Sequence, residues 1–192
     1  VVDCAMRGYD SFIDEKAIED VEKLITKNQS LAKHICNSHG GTLLQTLFCQ
    51  HMIIFEDVGS AIRGVQEWAQ KWADFLKKNN WQNRLGIGMH LGDLKAFRSH
   101  VFGEDLDKAN TLRMIIPHLH PFKQELNLNP VLFTAEIYQE IEKTDLSVSF
   151  REFNPFELEP CGLISMKERN EELMKSGFAD GEKAYELLLS NQ

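Results

Sequence analysis

The sequence predicts an α+β domain with a ferredoxin-like βαββαβ core and extra C-terminal strands and helices. Three observations predict it. Two long segments place apolar residues at helical spacing, two short β-forming runs lie between them, and an apolar run containing two glycines follows. Helices packed on one sheet face would complete such a layer, and the plan by itself leaves function open.

Each element has its own local reason. Residues 12–37 carry Ile18, Val21, Leu24, Ile25, Leu31, Ala32 and Ile35 at helical intervals, which gives one buried stripe, and Gly40-Gly41 ends that helix. Thr42–Phe48 and Gln50–Phe55 read as strands paired around Phe48-Cys49. The second helix presents Ala61, Ile62, Val65, Trp68, Ala69, Trp72, Phe75 and Leu76 on one face. Leu85–Leu91 reads as a strand in the sheet centre, where Gly86 and Gly88 imply a close backbone neighbour. Further on, helix is predicted from Gly103 to Leu126, strand at Val131–Thr134, helix at Ala135–Lys143 and strand at Ser147–Phe153. Residues 154–162 hold two prolines and a glycine and read as loop, and 165–189 as one or two exposed, charged helices. The expected division is a domain over 1–155 and a C-terminal loop and helical extension over 156–192.

Composition narrows the function classes. With 43% hydrophobic and 26% charged residues in 192, the chain can bury a proper core and is not a disordered or coiled-coil sequence. A net charge of −8 argues against nucleic acid and anionic membrane as partners, and no apolar run approaches the roughly 20 residues that span a bilayer. Cys4, Cys36, Cys49 and Cys161 lie far apart and read as free thiols in a reducing, cytoplasmic compartment. An opening on Val1-Val2-Asp3 without a methionine reads as a domain taken from a longer protein.

Four patterns in chain order carry a resemblance. Asp3 with Gly8-Tyr9 resembles D-x-x-G-F/Y, and Gly41-Thr-Leu-Leu-Gln-Thr-Leu-Phe-Cys-Gln-His-Met-Ile-Ile-Phe55 resembles G-x-x-x-K-x-x-G-D-x-x-x-x-x-F. Arg84-Leu-Gly-Ile-Gly-Met-His-Leu-Gly-Asp93 is similar to R-x-G-I-x-x-H-x-G-D/E, and His100-Val-Phe-Gly-Glu-Asp-Leu-Asp-Lys-Ala109 to D-x-Y-G-x-x-V-N-x-A. Together, over residues 1–155, they resemble the class III adenylate/guanylate (nucleotidyl) cyclase catalytic domain in a degenerate form. The resemblance implies a head-to-tail dimer with a shared site. There two carboxylates hold two metal ions, an Asn and an Arg from the other subunit orient ribose and stabilise charge, and a Lys with an Asp or Thr reads the base.

Carried over position by position, most of that chemistry is replaced. The metal carboxylate of the hairpin falls on Cys49, a soft ligand ill-suited to Mg²⁺. The base-reading pair falls on Gln45 and His100, the ribose Asn on Asp107 and the transition-state Arg on Thr111. Arg113 lies on another face of the helix, whereas Lys108 is near enough to Thr111 to offer partial compensation. Asp3 remains as a metal candidate in one register; aligned on Gly8 instead, Ala5 takes its place.

Simpler readings stand beside these. Cys49 reads as a thiol filling hairpin space, His90, His100, His118 and His120 lack metal-site spacing, and Trp68 and Trp72 form a core stripe. The expected function is therefore an inactive regulatory or dimerisation module in intracellular signalling. It would pair as a homodimer, or as a heterodimer with a related domain, and need no cofactor. The alternatives are an active cyclase using Mg or Mn through displaced ligands, and a nucleotide sensor that binds without turnover.

Overall fold

The computed structural model describes residues 1–97, 100–103, 105–115, 129–158 and 165–189. In chain order the elements are β1 (Val2–Arg7), α1 (Tyr9–Glu15), α2 (Ile18–His39), β2 (Thr42–Leu47), β3 (Gln50–Ile54), α3 (Val58–Asn79) and β4 (Arg84–Met89). There follow β5 (Lys95–Phe97), β6 (His100–Phe102), α4 (Asp105–Ile115), β7 (Val131–Thr134), α5 (Ala135–Glu142), β8 (Ser149–Phe153), α6 (Met166–Lys175) and β9 (Ala184–Leu188). The βαββαβ plan is the core of the fold. One seven-stranded sheet runs β2-β3-β1-β4-β7-β9-β8, with β5 and β6 forming a separate small hairpin. Its neighbours are antiparallel except for β4 and β7, which run parallel.

Strand alternation splits the interior into two layers. Val2, Cys4 and Met6 of β1 and Leu85, Ile87 and Met89 of β4 pack with Leu24, Ile35, Trp68 and Trp72 of α2 and α3. The intervening positions face the other way, where Leu112 of α4 and Leu173 of α6 pack with Leu132, Phe153 and Phe178. Helices thus cover both faces, a correction to the one-sided layer expected from sequence. The reason is at Gly88. A Cβ there would overlap the Ala109 carbonyl oxygen and stand 2.7 Å from the Arg113 amide nitrogen, so the missing side chain is what admits α4 to the second face.

Capping explains where the two long helices stop. Gly40 closes α2 at φ 70°, Asp57 accepts the Ser60 amide at 2.7 Å to open α3, and Asn80 closes α3 at φ 53°. The single helix expected over 12–37 is two, because the backbone is extended at Lys16 and Ala17. The tail also departs from its helical expectation. Met166–Lys175 is helix, held by a Ser165–Glu168 capping box, but Ala184–Leu188 is a strand inserted between β7 and β8. Its Tyr185 and Leu187 are buried against Phe133, a period-two pattern that charged neighbours mask in sequence. The rest of the helix expected from Gly103 to Leu126 beyond Ile115, and Cys161, His118 and His120, lie outside the described residues. Cys4, Cys36 and Cys49 are free thiols. Among the described residues no helix is long and apolar enough to cross a membrane.

One core residue makes the fold acid-sensitive. His51 on β3 has no exposed surface; its ring centroid lies 5.8 Å from that of Trp68 and its Nδ1 is 3.2 Å from the Thr46 hydroxyl. Burial pushes its pKa from 6.5 down to about 4. The unfolded chain therefore binds a proton that the folded chain refuses, so stability falls as pH drops from 6.5 towards 4. Replacing His51 with Leu should remove on the order of 2–3 kcal/mol of that pH dependence. Urea titrations of both proteins at about pH 7 and about pH 4.5 check this; parallel losses in the two would refute it.

Candidate functional site

Of the residues that the sequence singles out, Asp3, Ala5 and Cys49 gather where β1 and the β2–β3 hairpin meet, with Arg113 of α4 beside them. At the hairpin tip Phe48 has φ 44° and the turn delivers Cys49, whose carbonyl accepts the Met6 amide at 2.9 Å. Ala5 pairs with Gln50 across the ladder while Asp3 pairs with Met52. The β1 residue beside the turn is therefore Ala5, and Asp3 lies two positions deeper in the sheet.

Asp3 is fully buried and fully engaged. Gln50 Nε2 donates to its two carboxylate oxygens at 3.0 and 3.2 Å, and Arg113 Nε donates to Oδ2 at 2.9 Å. The same guanidinium donates to Asn110 Oδ1 at 2.6 Å. A carboxylate in the sheet centre needs a cation, and here α4 supplies it. The other metal position, Cys49, offers a half-buried thiol whose pKa burial pushes up, which disfavours the thiolate a metal would need. These donors do not fit a hard divalent cation. Among the described residues no group of three or more His, Cys, Asp or Glu converges as a metal site.

The remaining positions scatter. Gln45 is exposed on β2, past an irregularity in its pairing with β3 between Leu43 and Gln45. The backbone of His100 is on β6, and its side chain is outside the described residues. Asp107 is exposed on α4. Thr111 donates to the Ser176 hydroxyl at 2.7 Å, so the position of the family's Arg is turned towards the end of α6. Lys108, expected to compensate, does not. It lies 3.5 Å from Glu136 and 3.3 Å from Glu182, above the Phe178 ring.

A further row of polar groups closes the C-terminal ends of β4 and β7. His90 Nδ1 lies 2.9 Å from the Thr134 hydroxyl and Nε2 lies 3.1 Å from Asp105 Oδ1, while Asp105 Oδ2 accepts the Asp93 amide at 2.9 Å. Burial pushes the His90 pKa down, outweighing the opposing Asp105 and Glu136. Hydroxyl, imidazole and carboxylate stand in the order of a nucleophilic triad, yet Thr134 has no exposed surface and no substrate can reach it. The row positions loop and helix; it does not attack anything.

Sequence reasoning missed Arg113 as a site residue, together with Gln50, Asp105 and Ser176. The signal for Arg113 was available: Asp3 stands alone among Val1, Val2, Cys4, Ala5 and Met6, and a buried carboxylate demands a cation.

This arrangement of sheet and helices has the fold of class III nucleotidyl cyclase catalytic domains. The chain superposes on the adenylyl cyclase CyaB from P. aeruginosa with a TM-score of 0.70 at 14% identity, covering 100% of this chain and 93% of that one. An adenylate/guanylate cyclase/hydrolase from Silicibacter pomeroyi gives 0.62 at 16% identity, covering 99% and 96%. The guanylate cyclase domain of RhGC from Catenaria anguillulae, in complex with GTP, gives 0.61 at 9% identity, covering 99% and 95%. No family model and no curated protein matches the sequence.

The Asp3–Arg113 pair is testable as a unit. Arg113→Leu leaves an uncompensated buried carboxylate and should cost about 3–5 kcal/mol, whereas adding Asp3→Asn should recover most of it. Denaturant titration of the single and double variants measures the coupling. Equal losses from the single and the double variant would show that the pair carries no charge compensation.

Proposed function

We propose that this is a cyclase homology domain that no longer catalyses and acts by pairing, as a regulatory or dimerisation module in cytoplasmic signalling. The observation that carries the reading is the Asp3–Arg113 pair: the carboxylate nearest the family's metal position already has its cation, built into the chain. Three further features support it. Cys49 stands where the second metal carboxylate belongs, Asp107 would repel a polyphosphate, and Thr111 carries no charge and is bonded to Ser176. A transition-state Arg in phosphoryl transfer is worth about 10³–10⁵ in rate, and losing metal and ribose contacts as well leaves no partial route. The module needs no metal ion or other cofactor.

The expected result is no cyclic nucleotide from the purified chain with Mn²⁺ and any nucleoside triphosphate, read by mass spectrometry. Restoring Cys49→Asp, Asp107→Asn or Thr111→Arg singly should leave background, because each repairs a step that the others still block. Turnover by the unmodified chain that Asp3→Ala abolishes would make it a working enzyme instead.

Pairing, with a second copy or a related domain, rests on what the hairpin presents. Leu47 and Phe48 are 50% and 72% exposed at its tip, and Phe48 sits at φ 44°, a conformation that costs a residue with a side chain. Light scattering should give a dimer at high concentration that Leu47→Asp with Phe48→Asp converts to monomer. A strict monomer at every concentration would count against self-pairing.

A further inference from the structure

On the face of α2 and α3 turned away from the site, a groove of about 520 Å³ runs between the two helices. Its floor is apolar, from Leu31 and Phe75, and its banks are cationic: Lys27 on α2, Lys71 and Lys78 on α3. This is unexpected in a chain of net charge −8. Two carboxylates are at hand, and one of them, Asp74, lines the groove itself. Glu67 bonds His34 at 2.7 Å and His39 at 2.6 Å, with Lys71 at 3.4 Å, and Asp74 accepts from Gln70 at 3.1 Å. Lys27 and Lys78 have no carboxylate partner among the described residues. The Lys27 ammonium lies 5.8 Å from the Phe75 ring centroid, so its long side chain is already laid along the groove.

We propose that this groove docks an acidic amphipathic helix of a partner protein. Geometry selects that occupant over a free phosphate. Lys71 and Lys78 are two helical turns apart, about 10 Å along α3, with the apolar floor between them. A single anion cannot reach both ends, and a polyphosphate has nothing to set on Leu31 and Phe75. A helix carrying glutamates two turns apart, with a leucine between them on the same face, meets both banks and the floor. Charge steers the encounter, and the apolar floor supplies the desolvated contact that holds it.

The test is fluorescence anisotropy of the 192-residue chain with a labelled synthetic peptide of that pattern. A scrambled peptide of the same composition and unlabelled tripolyphosphate serve as competitors. Lys27→Glu with Lys78→Glu should weaken binding by about tenfold or more, with circular dichroism unchanged. Lys143→Glu with Lys167→Glu, which makes the same change in net charge at exposed positions elsewhere, should leave binding intact. The proposal is overturned if the patterned peptide does not bind, or if both double variants weaken it equally. Equal competition by the scrambled peptide would also overturn it, because spacing would then not matter. Displacement by tripolyphosphate at equal concentration would do the same, reducing the groove to a simple anion site.

Discussion

A carboxylate buried in the third strand of a seven-stranded sheet sets the terms for half of this fold. Asp3 has no exposed surface, and an ionised group so placed costs several kcal/mol unless a cation and hydrogen bonds surround it. Gln50 answers from the neighbouring strand and Arg113 from α4. For Arg113 to arrive, α4 must lie almost in backbone contact with β4, and only a glycine at 88 permits that approach. The ion pair, the bare position on β4 and the helix packed there are thus one arrangement. Any side chain at 88 would lift α4 and strand the Asp3 charge, joining the cost of overpacking to that of an unpaired ion.

This coupling explains what could be read from the sequence and what could not. The hairpin at Thr42–Ile54, the α3 helix and the β4 strand follow from patterns confined to a dozen or so neighbouring residues, such as period-two alternation or the Trp68/Trp72 stripe. Gly88 was legible as a close approach, although not as an approach of α4. The Asp3–Arg113 pair spans 110 positions, and no local pattern joins residues that far apart. Likewise β9 becomes a strand because β7 and β8 offer it two hydrogen-bonding edges, while its own segment, mixed in charge, carries little of that signal. The site positions were found by resemblance to a family, whereas the internal partners of Asp3 and Thr111 come from α4 and the tail, far from them in sequence.

The two faces of the sheet have accordingly different freedoms. On the α2/α3 face the interior is apolar and densely built, with Trp68, Trp72, Ile53 and Ile87 without exposed surface. Substitution there costs cavity or strain whatever the domain does. The α4 face joins a smaller apolar cluster around Leu112, Leu132 and Leu173 to polar pairs, and polar pairs can be re-formed with new partners at little net cost when both members change. The apolar residues that build the βαββαβ core are thus distinct from the polar ones on the α4 face.

The tail enters the same logic through α4. Thr111 bonds Ser176 just beyond α6, and Lys108 bonds Glu182 between α6 and β9, while Phe178 and Leu173 pack beneath them on Leu112. Both side chains are committed to the chain's own C-terminal segment. An arginine at 111 would meet Ser176 of that segment, and moving Lys108 would take a cation from both Glu136 and Glu182. The tail is thus part of how α4 is held, through Thr111, Lys108 and the apolar contact beneath them.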